Sequence, residues 1–133
     1  MVLTHTRKHR RKWPLRLALA LVCFALLLMA FRADLFGPSS QESLDQARLA
    51  LLKQEFAAAE KYALRIPDGH PLWHESRLVA GEAATRAKRL GDAIGHYLKI
   101  PRDDSEQSIL AMFSLGEVYR ELGHLSKAED CYA

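Results

Sequence analysis

The sequence contains no asparagine, two cysteines and, across its first 32 residues, no acidic side chain. Each scarcity excludes something. Cys23 lies in an apolar run and Cys131 in a stretch of helical periodicity. Neither belongs to a C-x-x-C pair, so a disulfide framework and a zinc knuckle are excluded. Both thiols read as buried or lipid-facing. No segment alternates apolar and polar residues, so no strand is expected. There is no glycine-rich phosphate loop, no G-x-S-x-G turn and no Cys–His arrangement. Nothing points to catalysis, and neither cofactor nor metal is expected.

The acid-free head distorts the overall charge. Residues 1–32 hold seven Lys/Arg, and residues 33–133 hold twelve against sixteen Asp/Glu. The formal charge of +3 therefore belongs to the head alone, and nucleic-acid binding by the whole chain is not expected.

That head reads as a membrane segment. "RKHRRKW" precedes "LALALVCFALLLMAF", fifteen residues (17–31) without a polar side chain. Alone the run is about 22 Å of helix, short of a hydrocarbon core of about 30 Å. Residues 13–36 suffice if Arg16 and Arg32 snorkel and Trp13 sits among the headgroups. Five cations between Arg7 and Lys12 precede the run, and only Arg32 follows closely. The positive-inside rule then places the N-terminus in the cytoplasm. The remainder would lie on the far, periplasmic side of a bacterial-type inner membrane. The rival is a cleaved signal peptide. It is disfavoured because Ala30 or Ala33 at position −1 would leave Leu28 or Phe31 at −3.

Gly37 and Pro38 break the first helix, and Ser39 with Glu42 forms an S-x-x-E box that starts another. Beyond it the periodicity is helical throughout, and the sequence overlaps itself when shifted by 35. Gly81 falls on Gly116, Leu90 on Leu125, Ala93 on Ala128 and Tyr97 on Tyr132. "YALRIP" likewise resembles "YLKIP". A period near 35 with two helices per unit describes stacked helical hairpins, none able to bury its apolar face alone. Small residues such as Gly81, Gly116, Ala93 and Ala128 let paired helices approach, while Tyr97, Tyr119 and Tyr132 fill the space beside them.

These positions resemble tetratricopeptide repeats over roughly residues 40–133. The last copy shows Leu115-Gly116, Tyr119, Leu122-Gly123, Ala128 and Tyr132, with Met112 where the family often has Trp. The second, about 74–101, keeps Gly81, Ala93, Tyr97 and Pro101. Its turn at "RLGDA" looks compressed, and Ala84 stands in place of Tyr119. The first, about 40–67, keeps Phe56, Ala59, Ala63 and Pro67, but Ala58/Tyr62 and Ala59/Ala63 fit equally. The last copy breaks off in its second helix, so the chain reads as the N-terminal part of a longer protein. A complete protein ending on an uncapped helix is the other reading.

The expected architecture is all-α: a basic head (1–12), a transmembrane helix (13–36), a linker (37–41) and a helical-hairpin solenoid of about two and a half to three repeats (42–133). The resemblance implies a partner-binding groove lined by the first helices. Carried over, the groove holds Leu44, Arg48 and Leu51, then Leu78, Glu82 and Arg86, then Phe113, Glu117 and Arg120. It is not a clamp for chaperone carboxylate tails, because those grooves use Asn and Lys.

The local motifs have structural readings. His70 and His74 in "HPLWHE" lose i,i+4 pairing because Pro71 keeps His70 outside the helix. Trp73 packs between units one and two. His96 and His124 read as surface or boundary residues. "PRDDSE" lacks calcium-loop spacing, and Asp104 with Gln107 reads as a helix start. The expected function is a membrane-anchored scaffold that binds a protein or peptide without chemistry of its own. The alternatives are the anchor and repeat module of a larger enzyme, or a secreted repeat protein; an uncovered Tyr132 also admits a homo-oligomer.

Overall fold

The computed structural model describes residues 13–35 and 38–133, and within the first stretch the side chains of residues 17–29. Among the described residues the protein is all-α, with seven helices and no strand. The chain divides into two units, up to residue 37 and from residue 38 onward.

The first unit contains α1 (Trp13–Leu35). Every described side chain on it, residues 17–29, is exposed, the large ones from 51% at Leu28 to 72% at Met29, so this stretch is apolar all round rather than on one face. Among the described residues no helix is long and apolar enough to cross a membrane. The thirteen described side chains cover about 20 Å of helix, against a hydrocarbon core of about 30 Å. The basic head 1–12 and Phe36 lie outside the described residues, and the side chains of Trp13, Arg16 and Arg32 outside the described side chains.

The second unit is three consecutive hairpins: α2 (Ser40–Leu52) with α3 (Phe56–Ala63), α4 (Trp73–Arg86) with α5 (Leu90–Leu98), and α6 (Glu106–Glu121) with α7 (Leu125–Tyr132). Ser39 caps α2, its Oγ accepting from the Glu42 amide at 3.1 Å. The expected reciprocal bond is not made; the Glu42 carboxylate accepts from Gln46 at 3.4 Å instead. At α6 the cap is Ser105, not Asp104: its Oγ accepts from the Ser108 amide at 3.2 Å. A hydroxyl one residue later completes the turn that the acid was expected to complete.

The hairpins repeat in backbone detail. Each helix pair is joined by three residues (53–55, 87–89, 122–124), and the middle one is left-handed: Gln54 (φ +63°), Lys88 (φ +61°), Gly123 (φ +77°). The third turn residue donates its amide back five residues, Glu55 to Ala50, Arg89 to Ala84 and His124 to Tyr119, each at 2.9 Å. That bond satisfies an orphan carbonyl at the helix end. The same residue's carbonyl then accepts from Ala59, Ala93 or Ala128, which starts the second helix. The second turn is therefore not compressed. It lies at 87–89, one helical turn's start ahead of Gly91, which is inside α5. Lys88 adopts the conformation that glycine supplies in the third hairpin.

Superposing the turns also fixes the first hairpin's register. Ala59 matches Ala93 and Ala128, and all three are buried. Ala47 and Ala63 thereby stand where Gly81 and Tyr97, and Gly116 and Tyr132, stand later. A Cβ on Gly81 would lie 2.6 Å from Cζ of Tyr97, and one on Gly116 2.6 Å from Cζ of Tyr132. Two alanines replace a glycine–tyrosine pair, and both are fully buried in the core shared with α4.

Each of the first two hairpins is covered by the next. Leu44, Ala47, Ala63 and Ile66 pack against Val79 and Ala80 of α4, and Ala50, Leu51 and Ala59 against Ala83. Tyr97, Ile100, Ala84 and Ala93 pack against Ala111, Leu115 and Val118 of α6. Ile66 and Ile100, each followed by proline, hold the chain to the core as it leaves the second helix.

Candidate partner-binding surface

The first helices are neighbours: α2 packs on α4, and α4 on α6. The backbones of the second helices do not come together in this way. The hairpin row therefore curves with α2, α4 and α6 on the inner side and α3, α5 and α7 on the outer.

The nine expected groove residues fall into two groups. Leu44 is fully buried and Leu51 nearly so; both are core, because α4 covers them. Leu78 is partly buried against the core shared with α6. Phe113, at the same register, is 59% exposed and lies beside the Tyr132 ring at 6.0 Å between centroids. Leu44, Leu78 and Phe113 thus belong to the face on which the next hairpin stacks, and sequence periodicity alone did not separate that face from the inner one.

The other five remain accessible on the inner helices, held by ion pairs. Arg48 reaches Glu75 across the α2–α4 junction and Asp45 on its own helix at 3.6 Å. Glu82 and Arg86 pair at 2.6 Å, and Glu117 pairs with Arg120. The Tyr132 hydroxyl donates to Glu117 Oε1 at 2.6 Å. That bond holds the Glu117 carboxyl below its ordinary value and pushes the Tyr132 phenol up. Lys88 reaches from the second turn to Glu121 at 2.7 Å. Between α4 and α6 lies a cleft of about 400 Å³ lined by Thr85, Glu117, Val118, Arg120 and Glu121. Its walls are mostly charged, with Val118 and Thr85 between the charges.

Two polar clusters escaped the sequence reading. His96 is buried, not at the surface: its Nε2 meets Glu60 Oε1 at 2.8 Å, and Arg89 holds the other oxygen of the same carboxylate. Burial alone would raise the Glu60 carboxyl; the bonds from Arg89 and His96 outweigh it and hold it below its ordinary value. This cluster fastens α5 to α3. Arg77 is also buried, its guanidinium 5.1 Å from the centre of the Trp73 ring, and burial lowers its pKa. Both were legible in principle. Arg77 lies on the buried stripe Trp73, Ala80, Ala84, and His96 between Ala93 and Tyr97.

Trp73 packs on the core between the first two hairpins, as its position suggested. His70 stays outside α4, its Nδ1 accepting from the Leu72 amide at 3.1 Å. Burial pushes the Cys131 thiol up, away from the thiolate form. Among the described residues no three His, Cys, Asp or Glu side chains are placed to hold a metal ion. Comparisons with protein-family models, with curated proteins and with solved structures give no match to this chain.

Proposed function

We propose that this protein is a membrane-anchored helical-repeat scaffold of the tetratricopeptide type, which captures a protein or peptide on the inner surface of α2, α4 and α6. The observation that carries this reading is the threefold recurrence of one hairpin, identical in its turn hydrogen bonds and left-handed residue. Such arrays present a continuous preformed face, so an extended ligand binds with little reorganisation. The accessible pairs Glu82–Arg86 and Glu117–Arg120 would set its register and polarity.

The anchor is α1. Thirteen consecutive apolar side chains, exposed on all sides, suit a lipid environment better than water. On this reading residues 13–36 span the bilayer and the hairpins lie on the far side from the basic head.

Two measurements test the proposal. Photo-reactive residues at Thr85 and Arg120 should cross-link a discrete partner in native membranes, and the same residues at Lys61 on α3 and Lys99 at the end of α5 should not. Equal cross-linking from both sides would sink the inner-surface assignment. Alkaline carbonate should leave the protein in the membrane pellet; release, with a mature N-terminus beyond residue 30, would remove the anchor.

A further inference from the structure

The two junctions between hairpins are built differently on the outer side. The inner helices touch, α2 on α4 and α4 on α6, whereas the backbones of α3 and α5, and of α5 and α7, do not come together. There only side chains reach across. Counted from the left-handed turn residue, Glu60 is equivalent to Ile94, Arg89 to His124 and His96 to Cys131. At the second junction these positions are mainly apolar: Ile94 and Cys131 pack on the core, and His124 meets the Tyr119 ring edge-on. At the first, Glu60 of one hairpin bonds Arg89 and His96 of the next.

One carboxylate serves that whole junction. Glu60 Oε1 meets His96 Nε2 at 2.8 Å, and its Oε2 accepts from Arg89. Both the Glu60 and His96 side chains are largely buried, at 15% and 11% exposed. Arg89 has a second partner, Asp92 on α5 at 2.9 Å. The His96 ring has no other among the described residues, its buried Nδ1 being unbonded. Among the described residues no side chain of α2 or α4, the other helices packed on α3, bonds to Glu60. An anionic carboxylate satisfies both donors, whereas a protonated one keeps a single good acceptor oxygen and loses its attraction to the guanidinium. Neutralising one member of a buried pair leaves the other charge uncompensated until water enters. The first junction therefore has two discrete states, closed on the anion or open and hydrated, and an apolar junction lacks that step.

We propose that the Glu60–Arg89–His96 junction is an acid-released latch, whose opening lets the first hairpin swing from the second about the α2–α4 contact while the junction between the second and third hairpins stays closed. Because the inner helices remain in contact, the swing changes the curvature of the inner surface. Burial alone would raise the Glu60 carboxyl; the bonds from Arg89 and His96 outweigh it and hold it below its ordinary value of 4.5. The closed form thus takes up the proton less readily than the open one, and acid drives opening. The latch holds above about pH 4.5 and is released as pH falls through the closed-state value.

The test uses the full chain in lipid nanodiscs, with spin labels carried on p-acetylphenylalanine at the equivalent exposed positions Ala57, Gly91 and Ser126 of α3, α5 and α7. Between about pH 7 and about pH 3.5 the 57–91 distance should lengthen by about 2 Å or more at unchanged helicity, and the 91–126 distance should not move. Glu60→Gln, which fixes the group in an uncharged form, should show the long distance already at neutral pH and no further change in acid. Glu60→Ile with His96→Val, which makes the first junction as apolar as the second, should stay short throughout. The proposal is overturned if the 57–91 distance holds until helicity is lost, or if both distances lengthen together. It is equally overturned if Glu60→Gln behaves as the unaltered chain does, or if the apolar variant opens in acid.

Discussion

The second and third hairpins carry the same glycine–tyrosine pair at the same distance, and only one of the two tyrosines is confined. Tyr97 is 4% exposed beneath α6; Tyr132 is 47% exposed and tied down by one hydrogen bond to Glu117. Two closely similar local geometries therefore differ in how far a neighbouring helix covers them. A repeat signature specifies which residues meet within a hairpin, and the neighbouring hairpin decides how firmly they are held.

The largest effect expected from this difference is on truncation of the tyrosines. Tyr97→Ala should lower the unfolding free energy of the repeat unit by about 3–4 kcal/mol, as large buried aromatics do. Tyr132→Ala should cost about 1 kcal/mol or less. Urea unfolding followed by circular dichroism measures both, and equal losses would erase the distinction. Next come the glycines. Gly81→Ala forces a methyl group into a ring that cannot retreat, and should cost about 2 kcal/mol. Gly116→Ala meets a ring held by one exposed hydrogen bond and no covering helix, and should cost about 1 kcal/mol or less. The first hairpin supplies a sharper form: Gly81→Ala with Tyr97→Ala recreates its Ala47–Ala63 pair, so the double variant should lose clearly less than the sum of the singles.

Smaller still are the turns. Gly123→Ala should cost about 1 kcal/mol, because a Cβ is strained at φ +77°. Lys88→Gly should gain about 0.5 kcal/mol at the equivalent position, the exposed Lys88–Glu121 pair contributing little. A loss at Lys88 would mean that this pair matters more than backbone strain. The smallest effect is the acid limb of stability. The Glu60 carboxyl is held below its ordinary value of about 4.5, so the unfolded chain takes up its proton first as pH falls. Its contribution is present above that pH and is lost as pH drops through the folded value. Glu60→Gln should flatten the stability–pH curve below about pH 4.5, and an unchanged curve would assign the acid sensitivity elsewhere.

Much of this architecture was legible in the residues. The apolar period of helices, the punctuation at Pro38, Gly123 and the isoleucine–proline steps, and the 35-residue overlap located the hairpins. The second turn was misplaced because Lys88, not a glycine, adopts its left-handed conformation, and Gly91 two residues into α5 drew attention away. The register of the first hairpin stayed open because Ala58 and Ala59 are equivalent by composition; a backbone hydrogen bond from Ala59 to Glu55 decides between them. The expected groove mixed two faces of one helix for a related reason. Residues three and four apart share a stripe, but the stripe does not say which neighbour it meets.

What the sequence determined by itself are the local facts: that the unit is built of paired helices, which positions are small enough for close approach, and that the pattern recurs. These follow from backbone sterics and from periodicities within a dozen residues. Only the tertiary structure decided which apolar residues are core and which are open, that His96 is buried on Glu60 from another hairpin, and that Leu44 and Phe113 have opposite fates at one register. Burial depends on distant chain segments, 36 residues away for His96 and Glu60, and no local pattern records whether such a segment is there.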